Sequence, residues 1–130
     1  MKKFTKIIAL TLVLIMSLAI LTSCAVPNKA PEKAMKALEK NGYDATLIDG
    51  VIAANQFKGC EYYIIAGDEN DNTLLVYYFR DKNFANEAWD SLDEDAAKAK
   101  LEVSEDIDIV MKKSGKMIYF GTKDAVKAAK

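Results

Sequence analysis

The sequence contains few side chains that could carry out covalent chemistry. Its 130 residues include no histidine, so the commonest general base and metal ligand is missing. Of its two cysteines, Cys60 opens an apolar stretch. A cysteine in such a place typically packs as a small hydrophobic side chain. We therefore predict no catalytic residue, and a small enzyme that uses the Cys60 thiol stays as an alternative.

Oxygen-bearing side chains recur at alternate positions in one short segment. Asp68, Asn70 and Asn72 have the spacing that opens an EF-hand calcium loop. The match then ends, because Thr73 stands where glycine is needed and Phe79 stands where a bidentate glutamate should be. Turn-forming residues fill the whole segment, which favours a solvated hairpin loop. We predict no metal site there, although weak calcium binding by the loop stays open.

Carboxylates are the other candidates for chemistry. Residues 90–95 include four of them, and a carboxylate pair can act as acid and base when burial separates the two pKa values. The run falls on the polar side of a predicted helix, which favours a solvated surface. The whole chain carries 18 basic and 19 acidic side chains, and three of the lysines lie within residues 1–6. The remainder is acidic, which argues against binding to nucleic acid.

Hydrophobic periodicity indicates the elements that would position these groups. We predict helices over 31–41, 81–100 and 123–130, and strands over 43–49, 60–66, 73–80, 107–112 and 116–120. The second helix has capping-box spacing at residues 91–94 and could break there. Residues 51–59 fit either a strand extension or a helical turn. Hairpins separated by helices predict an α+β fold, a two-layer sandwich with a mainly antiparallel sheet of about five strands and helices packed on it.

Three of the predicted strands are apolar on both faces. The strands over 60–66, 73–80 and 116–120 should therefore be central. If two helices cover one face, the other is covered by helix 31–41 or left exposed. An exposed aromatic face would be a contact surface for a partner. The candidate binding residues are then Tyr62, Tyr63, Tyr77, Tyr78 and Tyr119.

The first 24 residues have the order of a secretory leader. A basic start is followed by an apolar run over residues 7–21, then by small residues and Cys24. A run of 15 residues is short for a membrane-spanning helix, which needs about 20. The pattern therefore predicts an exported protein.

The end of this leader, Leu21-Thr22-Ser23-Cys24, resembles the lipobox of bacterial lipoproteins. The resemblance implies cleavage before Cys24 and a diacylglycerol thioether on its sulfur, with no other cofactor. It also implies a protein that is anchored in the cell membrane and exposed on the extracytoplasmic side. The chain then divides into a signal peptide (1–23), a lipidated cysteine with a short tether (24–30) and a single α+β domain (31–130).

We therefore expect a membrane-anchored lipoprotein of the cell envelope that acts as a non-catalytic binding or interaction module. Its partner would be a protein or a small molecule. One alternative is a structural envelope component that associates with itself, for example as a homodimer. The other alternative is a small enzyme that uses Cys60 or a carboxylate pair.

Overall fold

The computed structural model describes residues 26–130, so the predicted leader and Cys24 lie outside the described residues. The helices are α1 (Pro31–Lys40), α2 (Gly50–Gln56), α3 (Lys82–Asp90), α4 (Glu94–Leu101) and α5 (Lys123–Ala128). The strands are β1 (Asp44–Asp49), β2 (Cys60–Gly67), β3 (Thr73–Phe79), β4 (Val110–Ser114) and β5 (Met117–Gly121). Within residues 26–130, no helix is both long and apolar enough to span a bilayer.

The five strands form one sheet in the order β1-β2-β3-β5-β4. Every neighbouring pair is antiparallel. Two hairpins, β2–β3 and β4–β5, meet through β3 and β5, where Tyr78 lies opposite Met117. The predicted α+β class, with a five-stranded antiparallel sheet and helices packed on it, is confirmed.

Helices cover both faces of the sheet. On the first face, α1 and α5 pack against alternate strand residues that include Ile64, Val76 and Tyr119. On the second face, α2, α3 and α4 pack against the intervening residues, among them Tyr77 and Phe120. A strand such as β3, with apolar side chains pointing both ways, needs cover on both sides. The sheet is therefore the middle of three layers, one more than predicted, and α1 covers the face whose cover the sequence left open.

The long predicted helix over 81–100 is two helices. The Asp81 carboxylate accepts a hydrogen bond from the backbone of Phe84 and caps α3. The Asp93 carboxylate accepts one from the backbone of Ala96 and caps α4, so the break suggested by the capping-box spacing is confirmed. The undecided segment after β1 forms α2, which begins at Gly50 with φ of 67°.

Residues 26–30 pack on the domain rather than forming a free tether. Pro27 is fully buried. The Asn28 amide donates to the Ala129 carbonyl at 2.8 Å, and the Tyr78 hydroxyl donates to the Asn28 carbonyl at 2.8 Å. Val26 contacts the core on the first face of the sheet. The packed region therefore includes Val26, two residues after Cys24.

Candidate functional site

The chain enters and leaves the strands at two opposite ends of the sheet. The first, which we call the basic end, is marked by Asp49, Cys60, Phe79, Ser114 and Met117. The second, the acidic end, is marked by Asp44, Gly67, Thr73, Val110 and Gly121. Because a strand such as β3 has 7 residues, the ends lie about 23 Å apart. The predicted sites fall in the interior or at one of these ends.

The predicted tyrosine contact surface is wrong. Four of its five members are part of the core, with exposed fractions of 9% for Tyr63, 1% for Tyr77, 7% for Tyr78 and 1% for Tyr119. They are buried because helices of the chain itself pack on both faces. Burial raises the pKa of Tyr77 and of Tyr78 well above the usual range. Only Tyr62, 39% exposed at the basic end, is available for contact.

Cys60 is a core residue at the basic end. Its thiol donates to the Tyr62 carbonyl at 3.3 Å, and only 3% of the residue is exposed. Burial raises the pKa of the Cys60 thiol to about 11. Since the thiolate is the nucleophile, a thiol that stays protonated at neutral pH is poorly suited to covalent catalysis.

The calcium-like loop uses its oxygens internally. One oxygen of the Asp68 carboxylate accepts from the Asn70 and Asn72 amides, both at 2.9 Å, and the other accepts from the Asn72 side chain at 3.1 Å. The hydrogen bonds from Asn72 are the main cause that lowers the pKa of Asp68. In the part of the chain from 26 to 130, no cluster of three histidine, cysteine, aspartate or glutamate residues is arranged to hold a metal ion.

The acidic run over 90–95 does not form a carboxylate pair with separated roles. Asp93 is the cap of α4, and Glu94 lies 3.1 Å from the Lys98 ammonium one turn later. At the acidic end of the sheet, a hollow of about 420 Å³ is lined by Asp68, Asp71 and Glu102 together with apolar residues. Its carboxylates are solvated, so acid–base chemistry has no low-dielectric site there.

A cleft of about 470 Å³ lies at the basic end. We call it the basic cleft, because its lining contains one acidic side chain, Glu61, and four basic ones: Lys29, Arg80, Lys82 and Lys116. All four basic side chains are exposed, and none forms an ion pair within residues 26–130. The cleft therefore presents excess positive charge that the described chain does not neutralise.

Three separate segments bring these basic side chains together. Lys29 follows the packed Asn28, and Lys116 lies in the turn between β4 and β5. Lys82 begins α3, and Arg80 follows β3. The Arg80 amide donates to the Gly59 carbonyl at 2.8 Å, and its guanidinium lies 4.8 Å from the centre of the Phe84 ring. Such a set of cations can hold an anionic group by charge-assisted hydrogen bonds.

Exposed apolar side chains lie at the same end. Val51 is 77% exposed and Ile52 is 60% exposed, immediately after Gly50 at the start of α2. Gly50 shares a shallow hollow with Glu61 and Tyr62, which also line the basic cleft. Aliphatic, aromatic and basic side chains therefore all lie at the basic end.

The sequence analysis missed this surface because its members are scattered along the chain. A cluster of lysines in one segment would have been visible, but the four basic residues come from positions 29, 80, 82 and 116. The one signal in the sequence was Tyr62, which was predicted as a contact residue and lines the cleft. Comparison with protein-family models, with curated proteins and with solved structures found no match to this chain.

Proposed function

We propose that this chain is a lipid-anchored, non-catalytic binding module of the bacterial cell envelope, held on the extracytoplasmic side of the membrane. The lipobox resemblance at Leu21-Thr22-Ser23-Cys24 supports the anchor. Because Pro27 and Asn28 are packed on the domain, the proposed anchor holds the domain close to the membrane.

The observation that carries the binding role is the excess positive charge of the basic cleft. Four basic side chains without an ion-pair partner in residues 26–130 surround an open space of about 470 Å³. Lysine and arginine recognise phosphate and carboxylate groups through several N–H donors at once. The group that the cleft binds is therefore an anion, and a phosphoryl group matches this chemistry.

The non-catalytic role is supported by the chemistry of the side chains. The sequence has no histidine, and the Cys60 thiol is buried with a raised pKa. Within residues 26–130, the side-chain geometry does not support the alternative, an enzyme that uses Cys60 or a carboxylate pair. The aromatic sheet face is not available for self-association, since helices of the same chain occupy both faces.

The anchor is tested by expressing the full chain in a bacterial host and comparing it with Cys24→Ala. We expect the wild-type protein to lose residues 1–23, to gain the mass of a diacylglycerol on Cys24, and to sediment with membranes. The Cys24→Ala chain should carry no such mass. An unmodified Cys24 in the wild-type protein would contradict the proposed anchor.

The cleft is tested separately with a soluble probe, glycerol phosphate, titrated into the full chain in detergent. We expect the amide resonances of Arg80, Lys82 and Lys116 to shift. The shifts should disappear when all four cleft residues are changed to glutamine. A control with glutamine at Lys36, Lys40, Lys123 and Lys127 makes the same change in charge outside the cleft and should keep the shifts. Equal responses from the two variants would reject the cleft as the site.

A further inference from the structure

We propose that the basic end docks on the anionic phospholipid headgroups of the same membrane that holds the lipid anchor. In this arrangement the basic cleft contacts headgroup phosphates, and Val51, Ile52 and Tyr62 enter the boundary between headgroups and acyl chains. The acidic end then faces away from the membrane. The inference rests on the proposed anchor and names the partner of the basic cleft.

The short segment after Cys24 keeps the lipid anchor near the basic cleft. Two Cα–Cα steps join Cys24 to Val26, which limits their separation to about 7 Å, and five join Cys24 to Lys29, which limits it to about 17 Å. Val26, Pro27 and Asn28 are packed on the domain, so they do not form a free linker that would let the domain move away from Cys24. The basic cleft, of which Lys29 is part, therefore lies close to the lipid on Cys24.

The two ends of the sheet differ in charge. An anionic bilayer attracts each nearby lysine or arginine by about 1 kcal/mol, and this attraction decays within a Debye length of about 8–10 Å. Since the ends of the sheet are about 23 Å apart, only one of them can lie in that field. Contact through the basic end attracts the cleft residues and leaves Asp68, Asp71 and Glu102 in the screened solvent.

Acidic side chains at the basic end do not cancel this attraction. Glu32, Asp49 and Glu61 lie there, and the Asp81 carboxylate already accepts the hydrogen bond that caps α3. Lys58 adds another cation, 5.9 Å from the centre of the Phe84 ring that also contacts Arg80. Cations therefore remain in excess at this end.

The basic end also carries exposed apolar side chains. Val51 and Ile52 expose 77% and 60% of their surfaces to water, which is unfavourable unless another apolar phase covers them. Tyr62 suits the headgroup level, where its ring can be buried while its hydroxyl stays hydrated. Basic and apolar side chains at the same end of the domain are the combination that an interfacial membrane contact requires.

The test places a tryptophan at each end of the full chain, with Trp89→Phe removing the only native one. Tyr62→Trp reports the basic end and Ile107→Trp reports the acidic-end hollow, and both native residues are 39% exposed. Each protein is reconstituted into vesicles of phosphatidylcholine alone or of phosphatidylcholine with phosphatidylglycerol, both containing brominated lipid as a quencher. The mass of the N-terminal peptide is recorded on the same samples.

In the anionic vesicles we expect several-fold stronger quenching at position 62 than at position 107. The difference should shrink in phosphatidylcholine alone and in the variant with glutamine at all four cleft positions. The control with glutamine at Lys36, Lys40, Lys123 and Lys127 should keep it. Equal quenching at both positions, or a difference that the cleft variant leaves unchanged, would overturn the docking.

The outcomes separate the two proposals. Glycerol phosphate shifts without preferential quenching at position 62 would leave the basic cleft as an anion site and reject the membrane as its partner. An unmodified Cys24 would reject the anchor, while the quenching pattern would still decide whether the basic end faces the bilayer. Quenching that vanishes when excess glycerol phosphate is added would show that a soluble phosphate competes for the cleft, which supports its phosphoryl recognition.

Discussion

The two ends of the sheet are built from the same two hairpins and carry opposite charges. At the basic end, Arg80, Lys82 and Lys116 have no ion-pair partner within residues 26–130. At the acidic end, Asp68 is hydrogen bonded to Asn72, and comparable bonds tie Ser104 to Asp106. The Asp68 loop at the acidic end therefore satisfies its own carboxylate, whereas the cleft residues at the basic end have no ion-pair partner within residues 26–130. The difference lies in the connections between the strands, because the same strands run through both ends.

A shared core holds both ends in place, and the largest predicted effect tests that premise. Tyr77 stacks on Tyr63 at 5.5 Å and meets the edge of Phe57 at 4.9 Å between ring centres. Tyr77→Ala should lower the free energy of unfolding by about 3–5 kcal/mol, because it leaves a cavity under α2. Tyr62→Ala should change it by less than about 0.5 kcal/mol, since Tyr62 is exposed at the basic end. Urea unfolding measures both changes in the free energy of unfolding. Equal losses for the two variants would mean that the sheet interior does not hold the two ends in place.

The basic end should respond to alkali through Cys60. Because burial raises the pKa of its thiol to about 11, the folded protein holds this proton more tightly than the unfolded chain, whose thiol has a pKa near 9.0. Its contribution to stability is complete below pH 9.0 and is lost as the pH rises towards 11. Wild type should therefore lose more stability than Cys60→Ala as the pH is raised across this window. The buried tyrosines remain in both proteins, so the difference between their urea midpoints isolates the thiol. Parallel pH profiles would contradict the burial of Cys60.

The elements of the fold were predictable because they depend on local patterns. Runs rich in β-branched and aromatic residues identified the central strands, and the capping-box spacing at residues 91–94 indicated a break between α3 and α4, although the residue that caps α4 is Asp93. The tyrosine surface was predicted wrongly for a physical reason: an apolar strand face looks the same whether a helix or a partner covers it. Helix α2 and the packed Pro27 were also hidden, because tertiary contacts decide the structure of short segments.

Apart from Tyr62, the basic cleft could not be predicted from the sequence. It depends on the antiparallel register that places Tyr78 opposite Met117, which brings the turn at Lys116 beside the residues that follow β3. It also depends on the buried N-terminal segment that places Lys29 there. The spacing along the chain does not show that these residues lie close together, since 87 positions separate Lys29 from Lys116.

The attachment of that N-terminal segment gives a smaller predicted effect at the basic end. The Tyr78 hydroxyl donates to the Asn28 carbonyl, so Tyr78→Phe removes one partly buried hydrogen bond without changing the shape of the core. We expect a loss of about 1 kcal/mol and faster exchange of the Asn28 amide, which donates to Ala129. Tyr63→Phe is the matched control, with an expected change below about 0.5 kcal/mol. Unaltered amide exchange in Tyr78→Phe would mean that the segment is held mainly by Pro27.

The acidic end should respond to acid through Asp68, with the smallest of these effects because the carboxylate is at the surface. Hydrogen bonds, mainly from Asn72, lower the pKa of Asp68 below the 3.8 of an unfolded aspartate. The folded protein therefore holds this proton less tightly, and the contribution of the carboxylate is present above pH 3.8 and lost as the pH falls through the lowered value. The difference in melting temperature between wild type and Asp68→Asn should be constant near neutral pH and should narrow in acid. Glu69→Gln removes an exposed carboxylate from the same loop and is the control for the change in charge. If both variants behaved alike, the hydrogen bonds to the Asp68 carboxylate would not stabilise the folded protein. The two ends would then differ in net charge alone.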